Sequence, residues 1–164
     1  MSNKIIKWGF IGCGEVTKYK SGPAFQKVEG SKVVAVMSRD GKKAKAYAKE
    51  RNIPKWYDDA QELIDDPEVN AVYIATPPSS HATYAIMSMK AGKPVYIEKP
   101  MAQTYEECAR INRISRDGSP LFCSLLPALP ALLYESEGTG GQRYDRQCNQ
   151  RTDPFCTAPS RSGL

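Results

Sequence analysis

Strand-like and helix-like patterns alternate along the first 118 residues of this chain, and that alternation restricts the fold more than any other feature. Ile5-Ile6-Lys7-Trp8-Gly9-Phe10-Ile11 is an apolar run of strand length, followed by a glycine loop and a helix pattern reaching about Lys27. Lys32-Val33-Val34-Ala35-Val36-Met37 is β-branched and almost wholly apolar, the mark of a strand covered on both faces. The spacing predicts a helix over 42–51 with Ala44, Tyr47 and Ala48 on one side. A short helix follows, N-capped by Asp58, with Leu63 and Ile64 inward. Residues 71–75 read as the next strand. Over 81–91, Ala82, Ala85, Ile86 and Met89 fall at i, i+3, i+4 and i+7, and Gly92 ends that helix. Val95-Tyr96-Ile97 is a further strand, and Thr104 caps a last helix reaching about Arg116. Strands separated by helices pair in parallel, because each crossover returns the chain to the same edge. The expected fold is α/β: a doubly wound parallel sheet of six or nearly six strands, with helices on both faces.

Near Gly118 the character of the sequence changes. Every lysine lies at or before Lys99, and from Ser119 onward every basic residue is arginine. The same stretch holds Cys123, Cys148 and Cys156 and five of the twelve prolines, and its charges cancel. No helical or strand period survives in residues 135–164. The expected organisation is one domain over 1–118 and an irregular tail over 119–164. The tail is expected to be poorly ordered, with residues 121–126 at most partly covering the sheet edge. Translation in another reading frame yields this kind of switch, and a natural disordered tail is the alternative.

The net charge of +5 does not point to nucleic acid. Many of the basic residues lie in Lys42-Lys43-Ala44-Lys45-Ala46-Tyr47-Ala48-Lys49-Glu50-Arg51, where they alternate with small apolar residues as on the wet side of an amphipathic helix. Five cysteines without a CxxC pair suggest neither a disulfide framework nor a zinc site, so no metal is expected. The start, Met1-Ser2-Asn3-Lys4-Ile5-Ile6-Lys7-Trp8, has no sustained apolar run of the secretory kind. The longest uncharged apolar stretch, residues 121–134, is interrupted by two prolines and falls short of the roughly 20 residues that a bilayer requires. A cytoplasmic protein with neither nucleic-acid nor membrane partners is expected.

Gly12-Cys13-Gly14 closes the first strand and opens the first helix, with Glu15 and Val16 leading into it. Gly12 permits the tight turn, and Gly14 has no side chain to keep a pyrophosphate from the backbone. The helix N-terminus behind them offers free N–H groups and partial positive charge to such an anion. Thr17 stands where the dinucleotide fingerprint has a third glycine or alanine, so the motif is incomplete. At the end of the second strand an acid would hydrogen-bond the adenosine ribose of NAD. Here Ser38 and Arg39 stand instead, a hydroxyl and a guanidinium suited to a 2′-phosphate, with Asp40 one residue late. NADP is expected over NAD, which stays open; the other reading of Arg39 is an exposed loop residue.

Three further motifs follow in order: Ile74-Ala75-Thr76-Pro77-Pro78-Ser79-Ser80-His81, Ala91-Gly92-Lys93-Pro94-Val95 and Glu98-Lys99-Pro100. Together they resemble the signature of the glucose-fructose oxidoreductase, inositol dehydrogenase and MocA (Gfo/Idh/MocA) family, over about residues 5–118. The resemblance implies a Rossmann domain that binds NAD or NADP, joined in the family to a second α+β domain for a sugar, polyol or related carbonyl compound. Carried over by position, Thr76 and Pro77 line the cofactor, His81 lies near the nicotinamide ribose and Glu98 beside the ring. By local sequence alone His81 reads equally well as part of a helix start. Lys99 matches the family's active-site lysine, an ammonium that polarises a carbonyl or assists proton transfer during hydride transfer.

The family's usual acid–base histidine of the second domain has no counterpart, because His81 is the sole histidine. The family's large sheet, with its substrate pocket and oligomer interface, does not fit into 46 irregular residues. The expectation is therefore the nucleotide-binding half of an NAD(P)-dependent oxidoreductase, inactive alone. A non-catalytic dinucleotide-binding or partner-binding module is the alternative, and Glu98-Lys99-Pro100 argues against it. An enzyme completed by another chain is a third possibility.

Overall fold

The computed structural model describes residues 5–116 and 120–123. Every strand among them joins one sheet: β1 (Ile6–Ile11), β2 (Ser31–Met37), β3 (Lys55–Tyr57), β4 (Ala71–Ile74), β5 (Val95–Ile97) and β6 (Leu121–Cys123). The strand order is β3-β2-β1-β4-β5-β6, and all five pairings are parallel. The expected doubly wound α/β fold is the one observed. Two of the six strands, β3 and β6, have no counterpart in the sequence pattern. Each has three residues, too few for a period to show, and β6 lies beyond residue 118. The reading of 119–164 as irregular otherwise falls outside the described residues.

The helices are α1 (Gly22–Lys27), α2 (Gly41–Glu50), α3 (Ala60–Asp65), α4 (His81–Lys90) and α5 (Tyr105–Arg116). They build two cores, one on each face of the sheet. One core packs Phe25 of α1 and Ala44, Tyr47 and Ala48 of α2 on Trp8, Phe10, Val33, Val36 and Tyr73. The other packs Leu63, Ile64, Ala82, Ala85, Met89 and Ile111 on Ile11, Val34, Val72, Ile74 and Ile97. The central strands β1, β2 and β4 are buried on both sides, which is why they read as unbroken apolar runs. The expected inward faces of α2 and α4 are observed, except that Ile86 is half-buried. Lys42, Lys43, Lys45 and Lys49 line the wet side of α2, as its period predicts. No helix among the described residues is long and apolar enough to cross a membrane.

Two local expectations are corrected. The helix after the glycine loop does not run unbroken to Lys27. A π-helical turn, Val16–Lys20, comes first, and α1 starts afresh at Gly22. Pro23 is the cause: it has no N–H to give a preceding turn, and its ring would strike the carbonyl four residues earlier. The wider turn closes with Ser21 N–H donating to the Val16 carbonyl at 3.0 Å. A Cβ on Gly22 would come within 1.8 Å of the Thr17 carbonyl oxygen, so only glycine fits there. The second correction concerns the cap of α3. Asp59, not Asp58, accepts from the N–H groups of Gln61 (2.7 Å) and Glu62 (3.2 Å). A carboxylate reaches N–H groups two and three residues ahead, and Asp58 stands one residue too early. Thr104 caps α5 as expected, accepting from Glu107 N–H at 3.2 Å.

The edge of the sheet where the strands begin is fastened by a polar cluster. Asp66, only 5% exposed, receives Lys55 Nζ on both carboxylate oxygens (3.0 and 2.9 Å) and the Tyr57 hydroxyl at 3.0 Å. Lys93 Nζ donates to its carbonyl at 2.8 Å. Burial works against the Asp66 carboxylate, but the bonds from Lys55, the Glu68 N–H and Tyr57 outweigh it and hold the carboxyl below its ordinary range. This cluster ties β3, the end of α3 and the start of β5 together at the edge away from the glycine loop. Its chemistry is structural.

Candidate functional site

The register of the sheet brings the separated motifs into one row. Ile11 pairs with Met37 and with Ile74, and Ile74 pairs with Ile97. The residues that follow these four, Gly12, Ser38, Ala75 and Glu98, therefore emerge at the same level from four neighbouring strands. Hydrogen bonds close the row: Gly12 N–H to the Met37 carbonyl, Ala75 N–H to Ile11 and Glu98 N–H to Ile74, each at 2.9 Å. The order of strands reverses between β1 and β4, the point at which open α/β sheets leave a crevice for ligands. Gly12, Gly14, Glu15, Val16, Ser38, Arg39, Thr76, Pro77, Glu98 and Lys99 all stand on this edge.

Gly12 sits at φ +114°, and a Cβ there would lie 2.6 Å from the Ala75 carbonyl oxygen. The turn from β1 thus passes directly over the end of β4. Gly14 is the opposite case, since a Cβ there would meet nothing within 4 Å. One glycine is needed by the fold, and the other leaves space above the backbone. Thr17 is accommodated in place of a third small residue because its hydroxyl turns inward, donating to the Gly14 carbonyl at 2.8 Å. Its own carbonyl accepts from the buried Tyr47 hydroxyl at 2.7 Å. Glu15 is exposed and Val16 half-buried.

At the end of β2, Ser38 N–H donates to the Tyr57 carbonyl at 3.2 Å, which holds the turn against β3. Arg39 is exposed and makes no hydrogen bond or ion pair among the described residues. Asp40 has a different task. Its Oδ1 accepts from Lys42 N–H (3.0 Å) and Lys43 N–H (3.3 Å) as the N-cap of α2. Lys43, on the exposed side of α2, carries a positive charge that acts on the buried Cys13 of the glycine loop. Burial pushes that thiol up to about 11, with the Lys43 charge pulling the other way.

Thr76 and Pro77 form the turn after β4, with Ser80 Oγ donating toward Thr76 Oγ1 at 2.8 Å. His81 does not project from this edge. It is 1% exposed, with Nε2 2.6 Å from the Thr76 carbonyl oxygen and Nδ1 2.9 Å from that of Pro100. Both ring nitrogens face backbone carbonyl oxygens, and a ring N–H donates to one of them, so the backbone holds the buried ring in place. His81 instead braces the turn after β4 against the loop after β5. Glu98 is half-buried and Lys99 exposed, and the Lys99–Pro100 peptide is cis. Tyr73, absent from the sequence-derived set, donates its hydroxyl to Glu98 Oε1.

Residues 6–121 match the model of the oxidoreductase family with an NAD-binding Rossmann fold. The chain belongs to the Gfo/Idh/MocA oxidoreductase family. Its matched residues are that family's NAD-binding domain, as the motif order implies. An oxidoreductase of Formosa agariphila is 50% identical over 102 residues, which are 62% of this chain and 32% of that protein. Inositol 2-dehydrogenase 2 of Saccharopolyspora erythraea is 38% identical over 114 residues, 69% and 34% of the two chains. Among solved structures, a 3-ketoreductase from Actinomadura kijaniata in complex with NADP and TDP-benzene superposes with a TM-score of 0.68 at 28% identity. That match covers 72% of this chain and 36% of the other. A myo-inositol dehydrogenase from Lactobacillus casei in complex with NAD(H) and myo-inositol gives 0.68 at 25% identity, covering 73% and 36%. The chain spans about a third of the length of the curated relatives it matches.

Proposed function

We propose that this domain binds NADP in preference to NAD, as the hydride-carrying half of an oxidoreductase for a sugar, polyol or related carbonyl compound. The observation that carries the preference is the division of labour after β2. Arg39, without a partner among the described residues, stands beside Ser38, while the nearest acid, Asp40, lies one residue later and uses its Oδ1 to cap α2. The residues fit such a cofactor. Gly14 leaves an open approach to the backbone for a pyrophosphate, next to the first-turn N–H groups at Glu15 and Val16. Ser38 and Arg39 would take the 2′-phosphate, with Lys43 adding positive charge nearby. Thr76 and Pro77 would line the middle of the site, and Glu98 the nicotinamide end. We assign His81 to bracing those two loops, since its buried ring lies between the Thr76 and Pro100 carbonyls.

When bound, the nicotinamide supplies the carbon that accepts or donates hydride. The catalytic assignment is Lys99, an exposed ammonium at the same edge that can polarise a carbonyl oxygen or hold the proton of a substrate hydroxyl. The inositol and ketosugar chemistry in the names of similar proteins supports that substrate class. We place the nucleotide-binding domain at residues 1–118, with β6, at Leu121–Cys123, extending its sheet past that boundary. Turnover requires in addition a pocket and an acid–base partner for the substrate. Residues 119–164 contain no histidine for that role, so these 164 residues by themselves are expected to bind cofactor without catalysis.

Calorimetric titration of the chain and of Arg39→Ala with NADPH and NADH tests this reading. The expected result is one-to-one binding with NADPH the tighter ligand. Arg39→Ala should lose about 1.5–3 kcal/mol toward NADPH, the scale of hydrogen bonds to charged groups, and little toward NADH. Equal loss for both would show that Arg39 does not read the phosphate, and no binding of either would end the proposal.

A further inference from the structure

Tyr73 belongs to none of the recognised motifs, yet its hydroxyl joins two parts of the site. The ring is fully buried in β4, with its centroid 4.9 Å from Phe10, 4.8 Å from Phe25 and 5.3 Å from Tyr96. Phenylalanine would serve that packing as well. A buried hydroxyl costs free energy unless it is hydrogen-bonded, and this one has two partners. It donates to Glu98 Oε1 at the end of β5, and the Ser21 hydroxyl, at the break between the π-helical turn and α1, donates to it. One atom thus ties the Glu98 carboxylate to the segment that follows the glycine loop. The side chain of glutamate otherwise has several torsions to lose before it can hold one position.

We propose that Tyr73 is a positioning residue that fixes the Glu98 carboxylate for the nicotinamide half of the dinucleotide and couples it, through Ser21, to the glycine-loop segment. The inference rests on the reading above that Glu98 serves the nicotinamide end. Burial, and next the Glu98 carboxylate, hold the Tyr73 phenol well above its ordinary range, so it remains a donor throughout the neutral region. Ser21 and Glu98 are 77 positions apart in sequence (98 − 21), and the contact through Tyr73 brings a segment after β1 and the end of β5 into one polar unit.

The test compares NADPH with 2′-phospho-ADP-ribose, which keeps the adenosine, 2′-phosphate and pyrophosphate groups but has no nicotinamide. Both are titrated into the full chain, Tyr73→Phe, Glu98→Gln and the double variant. Tyr73→Phe should weaken NADPH about tenfold and the fragment less than about twofold. Glu98→Gln should do the same, and the double variant should bind NADPH no more weakly than Glu98→Gln, because Tyr73 acts through Glu98. Parallel loss of both ligands in Tyr73→Phe would mark a general structural role and overturn the inference. So would unchanged NADPH affinity in either single variant, or additive losses in the double variant. A wild-type chain that binds neither ligand would overturn the dinucleotide reading itself, and this inference with it.

Discussion

Gly12→Ala should abolish measurable NADPH binding and lower unfolding stability by about 3 kcal/mol, more than the 1–3 kcal/mol of backbone strain alone would suggest at its midpoint. At φ +114° the backbone is in a region that a residue with a Cβ avoids, and that Cβ would lie 2.6 Å from the Ala75 carbonyl oxygen. The neighbour cannot yield cheaply, because it is backbone at the end of a fully buried strand. Ala75 N–H is bonded to the Ile11 carbonyl and Gly12 N–H to that of Met37, so relief on one side breaks the row on the other. For a domain with about 5–15 kcal/mol of total stability this is a large fraction. Gly14→Ala provides the contrast. Its Cβ meets open space, so stability should stay within about 0.5 kcal/mol while NADPH affinity falls. Urea denaturation and NADPH titration of both variants check the pair. A Gly12→Ala protein as stable as wild type would contradict the geometry of the turn.

His81→Ala should cost about 3–5 kcal/mol, the upper range for removing a buried side chain together with its hydrogen bonds. The ring is almost fully enclosed, and its two nitrogens meet the carbonyls of Thr76 and Pro100 at 2.6 and 2.9 Å. Truncation removes the ring N–H from whichever carbonyl accepts it and opens a cavity between α4 and the loop after β5. The turn carrying Thr76 and Pro77 would no longer be held against the loop carrying Glu98 and Lys99. NADPH affinity should therefore fall through the loss of this brace. Urea unfolding measures the first effect and titration of the folded fraction the second. A stability loss below about 1 kcal/mol would show that the brace does not bear on the fold.

The parts of this domain that were legible in the sequence are those where one physical cause dominates. Double-sided burial makes β1, β2 and β4 read as apolar runs, and a one-sided stripe makes α2 and α4 read as helices. The order of those elements then requires the glycine loop, the Ser38-Arg39 turn and the Glu98-Lys99 loop to share one edge. The short edge strands β3 and β6 escaped because three residues carry no period, and their assignment comes from pairing with β2 and β5. The π-helical turn escaped because it results from Pro23 acting on a turn already committed to the glycine loop. The placement of His81 and Tyr73 escaped for a third reason. A histidine beside a helix start and a tyrosine in a buried strand say nothing of their partners, which lie at Pro100, Ser21 and Glu98. Motif matching found which loops matter, and only the fold shows which buried groups hold those loops.

A nicotinamide dinucleotide bound to this domain should lie across the edge where the strands end. Backbone amide chemical shifts of the isotope-labelled chain, recorded during NADPH titration, test it most directly. Saturable shifts are expected at Gly12 to Val16, at Ser38 and Arg39, at Thr76, and at Glu98 and Lys99. The cluster of Lys55, Asp66 and Lys93 at the opposite edge should stay still. Shifts centred on that opposite edge, or no saturable change at Gly12 to Val16, would contradict it.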